Sequence, residues 1–101
     1  DHITVLPALP KAWSTGSFDG LMARGNFVLS AQWSDSRLTA IEVIARSGGL
    51  CRLKVPLAKD ARVVDGSGKP VATQVVGDDI LEIQMKVGQK VDILLRKQQL
   101  N

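Results

Sequence analysis

The side chains that could carry acid–base chemistry are few and scattered along this chain. A hydrolase needs a positioned acid and base, commonly two carboxylates or a histidine beside a nucleophile. The one histidine is His2, near the start of the chain, where fraying is expected. The two glutamates, Glu42 and Glu82, each stand within an alternating pattern and are expected on solvent-facing sheet surfaces. The sequence therefore predicts no catalytic residue.

Binding chemistry for metals, phosphates or redox groups is equally sparse. Asp65 and the Asp78–Asp79 pair stand beside glycines, which is typical of turn residues. The run "DGSGK" supplies one carboxylate where a calcium site needs several oxygen ligands, and no helix follows it to make a phosphate loop. The one cysteine, Cys51, cannot form a disulfide within the chain and is predicted to be a buried, inert thiol. We predict no metal site and no cofactor.

Composition places the chain among ordinary globular domains. It has 101 residues, 45% hydrophobic and 23% charged, with a formal net charge of +3. The basic residues are spread from Lys11 to Lys97 among acidic ones, which indicates a solvated surface and no nucleic-acid partner. No apolar window is long enough to span a membrane, so no membrane partner is expected. Any export signal would lie upstream of Asp1.

The elements that would position any site are strands. From Phe27 onward apolar and polar residues alternate with period two, and turn residues interrupt the pattern at roughly 8- to 12-residue intervals. One strand face, for example, consists of Phe27, Leu29, Ala31 and Trp33. Such strands must pair their apolar faces with another sheet. We predict an all-β fold, an antiparallel β-sandwich of about seven or eight short strands, with a barrel as the less favoured arrangement.

The first 26 residues have a different character. Pro7 and Pro10 limit ladder bonding, and three glycines, Gly16, Gly20 and Gly25, divide the run into short pieces. Only the segment "GLMAR" looks able to pair as a strand. The region is predicted to be irregular but not disordered, because it still carries apolar side chains.

The two tryptophans raise the question of sugar stacking. Trp33 shares its strand face with apolar residues, which favours a core or sheet-packing role. Trp13 lies in the irregular run and is a candidate for packing against something outside this chain.

The run from Leu6 to Leu38 resembles the start of the C-terminal β-domain of glycoside hydrolase family 95, the α-L-fucosidase family. The features that carry the resemblance are "LPALP" at Leu6–Pro10, Trp13, Gly16, Gly20–Leu21, "ARG" at Ala23–Gly25, Phe27, Trp33 and Asp35. Two positions depart from the family pattern. Asn26 replaces a glycine and still tolerates positive φ, and Ser36 replaces the glycine of the hairpin turn.

The resemblance implies a parent enzyme with an N-terminal β-sandwich, an (α/α)6 catalytic barrel and a C-terminal β-domain, and it implies a periplasmic or secreted bacterial protein. No catalytic residue of the barrel maps onto this chain. Residues 1–101 are then expected to be a single non-catalytic accessory domain without its barrel, and the barrel of the same polypeptide is its partner. The expected interdomain surface consists of Leu9, Trp13, Phe18, Leu21, Met22 and Arg24.

Two alternatives stay open beside this interpretation. A carbohydrate-binding module for fucosylated glycans would use Trp13 or Trp33 as a sugar platform. A free-standing interaction protein would have no link to glycosidases. Apolar residues that would face a barrel also leave weak self-association of the isolated domain open.

Overall fold

The computed structural model describes residues 3–4, 16–34, 37–55, 58–77 and 79–95. Nine strands and one 3-10 turn, Ala58–Asp60, lie in these ranges. The strands are β1 Ile3–Thr4, β2 Gly16–Ala23, β3 Phe27–Ser34, β4 Arg37–Ala45, β5 Gly49–Lys54, β6 Arg62–Asp65, β7 Gln74–Val76, β8 Ile80–Met85 and β9 Lys90–Leu94. The described part of the chain holds no helix long and apolar enough to cross a membrane.

The strands form two sheets. A four-stranded sheet has the order β1-β5-β8-β7, and a five-stranded sheet has the order β2-β3-β4-β9-β6. All neighbours are antiparallel except β1 and β5, which pair in parallel. This arrangement confirms the predicted all-β sandwich. The chain changes sheet at five places, from β1 to β2, β4 to β5, β5 to β6, β6 to β7 and β8 to β9.

The core lies between the two sheets and is built from the alternating apolar positions. In β3, every second residue from Phe27 to Trp33 is buried, and Cys51 and Leu53 are fully buried in β5. Two buried residues are out of phase, Val64 in β6 and Leu38 in β4. Leu38 pairs with Trp33 because the register of β3 and β4 shifts between Gln32 and Trp33. Period-two alternation thus predicted the buried face correctly.

Strand β2 corrects the expectation for the glycine-rich segment. It runs for eight residues from Gly16 to Ala23 and pairs with β3 along its length, although only "GLMAR" was expected to pair. The register shifts between Phe18 and Leu21, and Gly20 there has a φ of 70°. A bulge absorbs the extra backbone, so glycine interrupts the ladder locally without ending the strand.

The tight turn between β2 and β3 depends on two residues in the left-handed region. Gly25 has a φ of 83° and Asn26 a φ of 65°, which agrees with the expectation that Asn26 tolerates positive φ. A Cβ atom at Gly25 would lie 2.8 Å from the ring of Phe27. Asn26 Nδ2 donates to Ser47 Oγ at 2.7 Å, which fastens this turn to the loop after β4.

Candidate functional site

The residues expected at an interdomain surface fall partly on β2. Leu9 and Trp13 lie outside the described residues, and of Phe18 only the backbone, within β2, is described. Leu21 and Met22 are consecutive and are 54% and 57% exposed, and Arg24 follows in the exposed turn. We call Leu21, Met22 and Arg24 the β2 surface.

The position of β2 makes this surface accessible. β2 is the outermost strand of the five-stranded sheet and pairs there with β3. Leu21 pairs with Leu29 and Met22 with Val28, so the two side chains leave the strand on opposite faces. An edge strand with two exposed apolar side chains is a candidate contact for another protein layer.

Trp33 takes the packing role that its strand face indicated. It is 8% exposed and pairs with Gly16 across β2 and β3. A Cβ atom at Gly16 would lie 2.7 Å from Trp33 Cζ2, so the indole lies against the backbone of Gly16. A ring covered in this way presents little face for a sugar to stack on.

The two glutamates lie on the outer sheet surfaces and have basic neighbours. Glu82 Oε2 is 2.8 Å from Arg52 Nε, across the pair β5 and β8. Glu42 Oε2 is 3.4 Å from Lys90 Nζ, on the other sheet. The expectation of solvent-facing positions is met, and each carboxylate serves a cross-strand ion pair.

The turn after β6 shows what its aspartate does. Asp65 Oδ1 accepts hydrogen bonds from the backbone amides of Ser67, at 2.8 Å, and Lys69, at 3.0 Å. This confirms the turn interpretation of "DGSGK". Within the described ranges, no three His, Cys, Asp or Glu side chains are placed to hold a metal ion together.

A groove on the outer face of the five-stranded sheet was not foreseen. It encloses about 320 Å³, and its lining residues are Asp19, Ser30, Ala31, Gln32, Ala40, Ile41, Glu42, Val64, Asp92 and Leu94. Strand pairing forms two outer rows, Gln32–Ala40–Leu94–Arg62 and Ser30–Glu42–Asp92–Val64. The short side chains of Ser30 and Ala40 lie between longer ones and leave the hollow.

The groove left only a weak signal in the sequence. Ser30 and Ala40 are the small residues on the polar sides of β3 and β4, but alternation alone does not say that they become neighbours. The pairing of Gln32 with Ala40 places them diagonally adjacent. That register follows from the irregularity near Trp33, which is a tertiary feature.

Cys51 is the one strongly perturbed titratable group among the described residues. The side chain is fully buried, as predicted, and burial raises the pKa of its thiol from the ordinary value of 9.0 to about 12. A thiol with such a pKa is protonated at neutral pH and is a poor nucleophile.

The thiol provides a test of folding and of pH dependence. We expect Cys51 to react with a maleimide only after the chain unfolds. Because the folded pKa of about 12 lies above the ordinary 9.0, the unfolded state releases its proton first. The contribution to stability is therefore complete below pH 9.0 and is lost as the pH rises towards 12.

The measurement is a urea titration at pH values from neutral to alkaline, with Cys51→Ser as the comparison. A thiol that labels rapidly in native conditions would contradict the burial of Cys51.

The strand topology and the cross-strand ion pairs of Glu42 and Glu82 define the class of the molecule, a small two-sheet β-domain. Residues 1–93 match the family model for the C-terminal domain of glycoside hydrolase family 95, and the chain belongs to that family. The search of curated proteins returned no match.

Family membership confirms the resemblance noted in the run from Leu6 to Leu38. A domain of this kind is an accessory part of a glycoside hydrolase and is joined to a catalytic domain in the same chain. The match extends to residue 93, well beyond the segment that carried the resemblance. The later strands added little to the resemblance because their alternation is general and few of their residues are distinctive.

Proposed function

We propose that this chain packs against the (α/α)6 catalytic barrel of an α-L-fucosidase-like enzyme and stabilises it, without taking part in the chemistry. The observation that carries the proposal is the β2 surface. It places two large apolar side chains, more than half exposed, at the edge of a sheet. Water contact at these positions is unfavourable, and contact with a second domain would remove it.

The size of the effect can be bounded from general principles. Contacts between domains of one chain commonly cover about 600–1,500 Å². Leu21 and Met22 are 54% and 57% exposed, so covering the rest of either side chain contributes about 0.8–1.5 kcal/mol, roughly half the value for full burial. Arg24 adds a planar guanidinium that can bond carbonyls or carboxylates of the barrel in fixed directions. In this proposal Leu9, Trp13 and Phe18 complete the surface.

The proposal includes the statement that the domain does not hydrolyse substrate, and this statement can be tested directly. The carboxylates of Glu42 and Glu82 have basic neighbours at 3.4 Å and 2.8 Å and lie on different sheets, so the pair cannot act on one bond. Pure domain is expected to leave a fucoside substrate unchanged. Turnover by the pure domain would overturn this part of the proposal.

The β2 surface gives a matched pair of variants. In the parent enzyme, Leu21→Asp is expected to lower the barrel's melting temperature and weaken binding between separately expressed barrel and domain, because it places a charge in the contact. Leu50→Asp is the control, since Leu50 is 50% exposed on the other sheet. In the domain alone, both variants are expected to change stability by less than about 0.5–1 kcal/mol.

The measurement is a thermal melt of the barrel with and without the domain, together with titration calorimetry. Equal behaviour of the Leu21 and Leu50 variants, or a barrel whose stability is independent of the domain, would rule out docking through β2.

Carbohydrate binding is the second candidate function, and the outer groove favours it. If a tryptophan provides the sugar platform, that residue is Trp13, because Trp33 is covered. Affinity electrophoresis on fucosylated glycans tests sugar binding through Trp13. The migration of the domain is expected to be retarded, and Trp13→Ala is expected to abolish the retardation. Retardation unaffected by this change would remove Trp13 from the candidate site.

A further inference from the structure

The outer groove combines hydrogen-bond acceptors, an amide and a small apolar floor. Its acceptors are the carboxylates of Asp19, Glu42 and Asp92, and Gln32 adds an amide that both donates and accepts. Ala40 and Leu94 are neighbours in the adjoining row, and Leu94 is 42% exposed. We propose that this groove binds one neutral sugar unit, at a site whose lining does not include Trp33.

The central pair of carboxylates is the first reason. Glu42 and Asp92 are directly opposite each other on β4 and β9, an arrangement in which like charges repel. Lys90 Nζ lies 3.4 Å from Oε2 of Glu42, and both Glu42 and Asp92 line the groove. Hydroxyl groups that donate to their carboxylate oxygens would disperse the charge through short O–H···O⁻ bonds.

The floor of the groove is the second reason. A sugar ring has a hydroxyl edge and a face of C–H groups, so it uses acceptors and apolar contacts together. Ala40 and Leu94 offer the apolar contact beside the acceptors of the next row. The volume of about 320 Å³ is at the lower end of the range for small-molecule sites, which is about 300–1,000 Å³, and it suits a single ring.

Other ligand classes fit less well. Three carboxylates would repel a phosphate or an acidic sugar. A divalent cation needs several converging oxygen ligands, and the described residues contain no group of three acidic or metal-binding side chains so placed. An organic cation would satisfy the charge but would leave Gln32 and the apolar floor unused.

The end of the groove beside β2 is held by the bulge. The backbone amide of Gly20 donates to Ser30 Oγ at 3.1 Å, which fixes the bulge next to the row of acceptors. The preceding residue, Asp19, thereby lines the groove.

The test is a titration of the isotope-labelled chain followed by amide chemical shifts. The probes are L-fucose, D-galactose and D-glucose, with magnesium chloride as the ionic probe. At least one sugar is expected to give saturable shifts at Gln32, Ala40, Glu42 and Asp92, with a Kd on the order of 1 mM. Shifts produced by magnesium chloride alone, or no saturable shift with any sugar, would overturn the proposal.

Matched variants locate the site. Glu42→Gln and Asp92→Asn are each expected to raise the Kd about tenfold or more, because each removes a charged acceptor. Glu82→Gln is the control, since Glu82 is also in a cross-strand ion pair but lies on the other sheet. Ala40→Leu keeps every acceptor and fills the hollow, so it is expected to abolish sugar binding.

Equal affinities in Glu42→Gln and Glu82→Gln, or undiminished binding in Ala40→Leu, would place the sugar elsewhere and overturn the assignment. All four substitutions are on the outer faces of sheets, and the dispersion of the amide spectrum reports directly that each variant is folded. The groove lining does not include Leu21, Met22 or Arg24 of the β2 surface, so the docking proposal and the sugar site fail independently.

Discussion

Ile83→Ala is expected to lower the free energy of unfolding by about 3–5 kcal/mol, the upper part of the range for such truncations. Ile83 is fully buried in β8 and pairs with Cys51. It belongs to the core between the sheets together with Leu81 and Met85 of the same strand face. Strands on both sides restrain the backbone, so the core cannot easily collapse around the missing atoms.

The measurement is urea unfolding of the wild-type and variant chains, with Val87→Ala as control. Val87 is 72% exposed in the turn between β8 and β9, and its truncation is expected to change stability by less than about 0.5 kcal/mol. The stability of a small domain is itself only about 5–15 kcal/mol. A loss below about 1 kcal/mol for Ile83→Ala would contradict the packed interior described here.

Gly48→Ala is expected to cost about 2–4 kcal/mol, because two separate effects combine. Gly48 has a φ of 81°, which is unfavourable by roughly 1–2 kcal/mol for a residue with a Cβ atom. The added Cβ atom would also lie 3.0 Å from the backbone nitrogen of Val87 and 3.2 Å from the carbonyl oxygen of Met85. These are backbone atoms and cannot rotate away, so overpacking adds to the cost.

The location explains why this contact is so close. Gly48 belongs to the crossing from β4 to β5, and Val87 to the crossing from β8 to β9. The two crossings are hydrogen-bonded to each other, with the amide of Gly88 donating to Ala45 O at 2.7 Å and that of Ala45 to Gln89 O at 2.9 Å. A side chain at Gly48 would push apart two of the crossings that join the sheets.

Two glycines of one turn separate the two effects. Gly68 has a φ of 83° and no atom within 4 Å of its would-be Cβ, so Gly68→Ala reports the backbone cost alone, about 1–2 kcal/mol. Gly66 has an equally open surround and no positive φ, so Gly66→Ala is expected to be within about 0.5 kcal/mol of wild type. Chemical denaturation measures the free energy of unfolding of the three variants. If Gly48→Ala is no less stable than Gly68→Ala, the packing contribution is refuted.

The core of the sandwich was predictable from sequence because its signal is local. Alternation with period two fixes which side chains share a strand face, and burial follows wherever the apolar face is continuous. The inward positions of β3 were assigned in this way, and so was the buried thiol of Cys51. The turn at Asp65 was predictable for the same reason, since its acceptor bonds amides only two and four residues away.

Strand β2 and the groove could not be obtained in this way because both depend on pairing between distant residues. The glycines at positions 16 and 20 looked like strand breakers, but Gly16 is required beneath the indole of Trp33 and Gly20 is accommodated by a bulge. Neither contact is visible without the register of β2 against β3.

The sequence by itself determined a two-layer β-domain, its inward faces and its kinship. Tertiary structure alone decided that Leu21 and Met22 stand at an exposed sheet edge, and that Glu42 and Asp92 meet across β4 and β9 above a hollow. The physical reason is the difference in sequence separation between the residues that interact. Side-chain alternation acts between adjacent residues, whereas the register of paired strands sets which side chains become neighbours across a sheet.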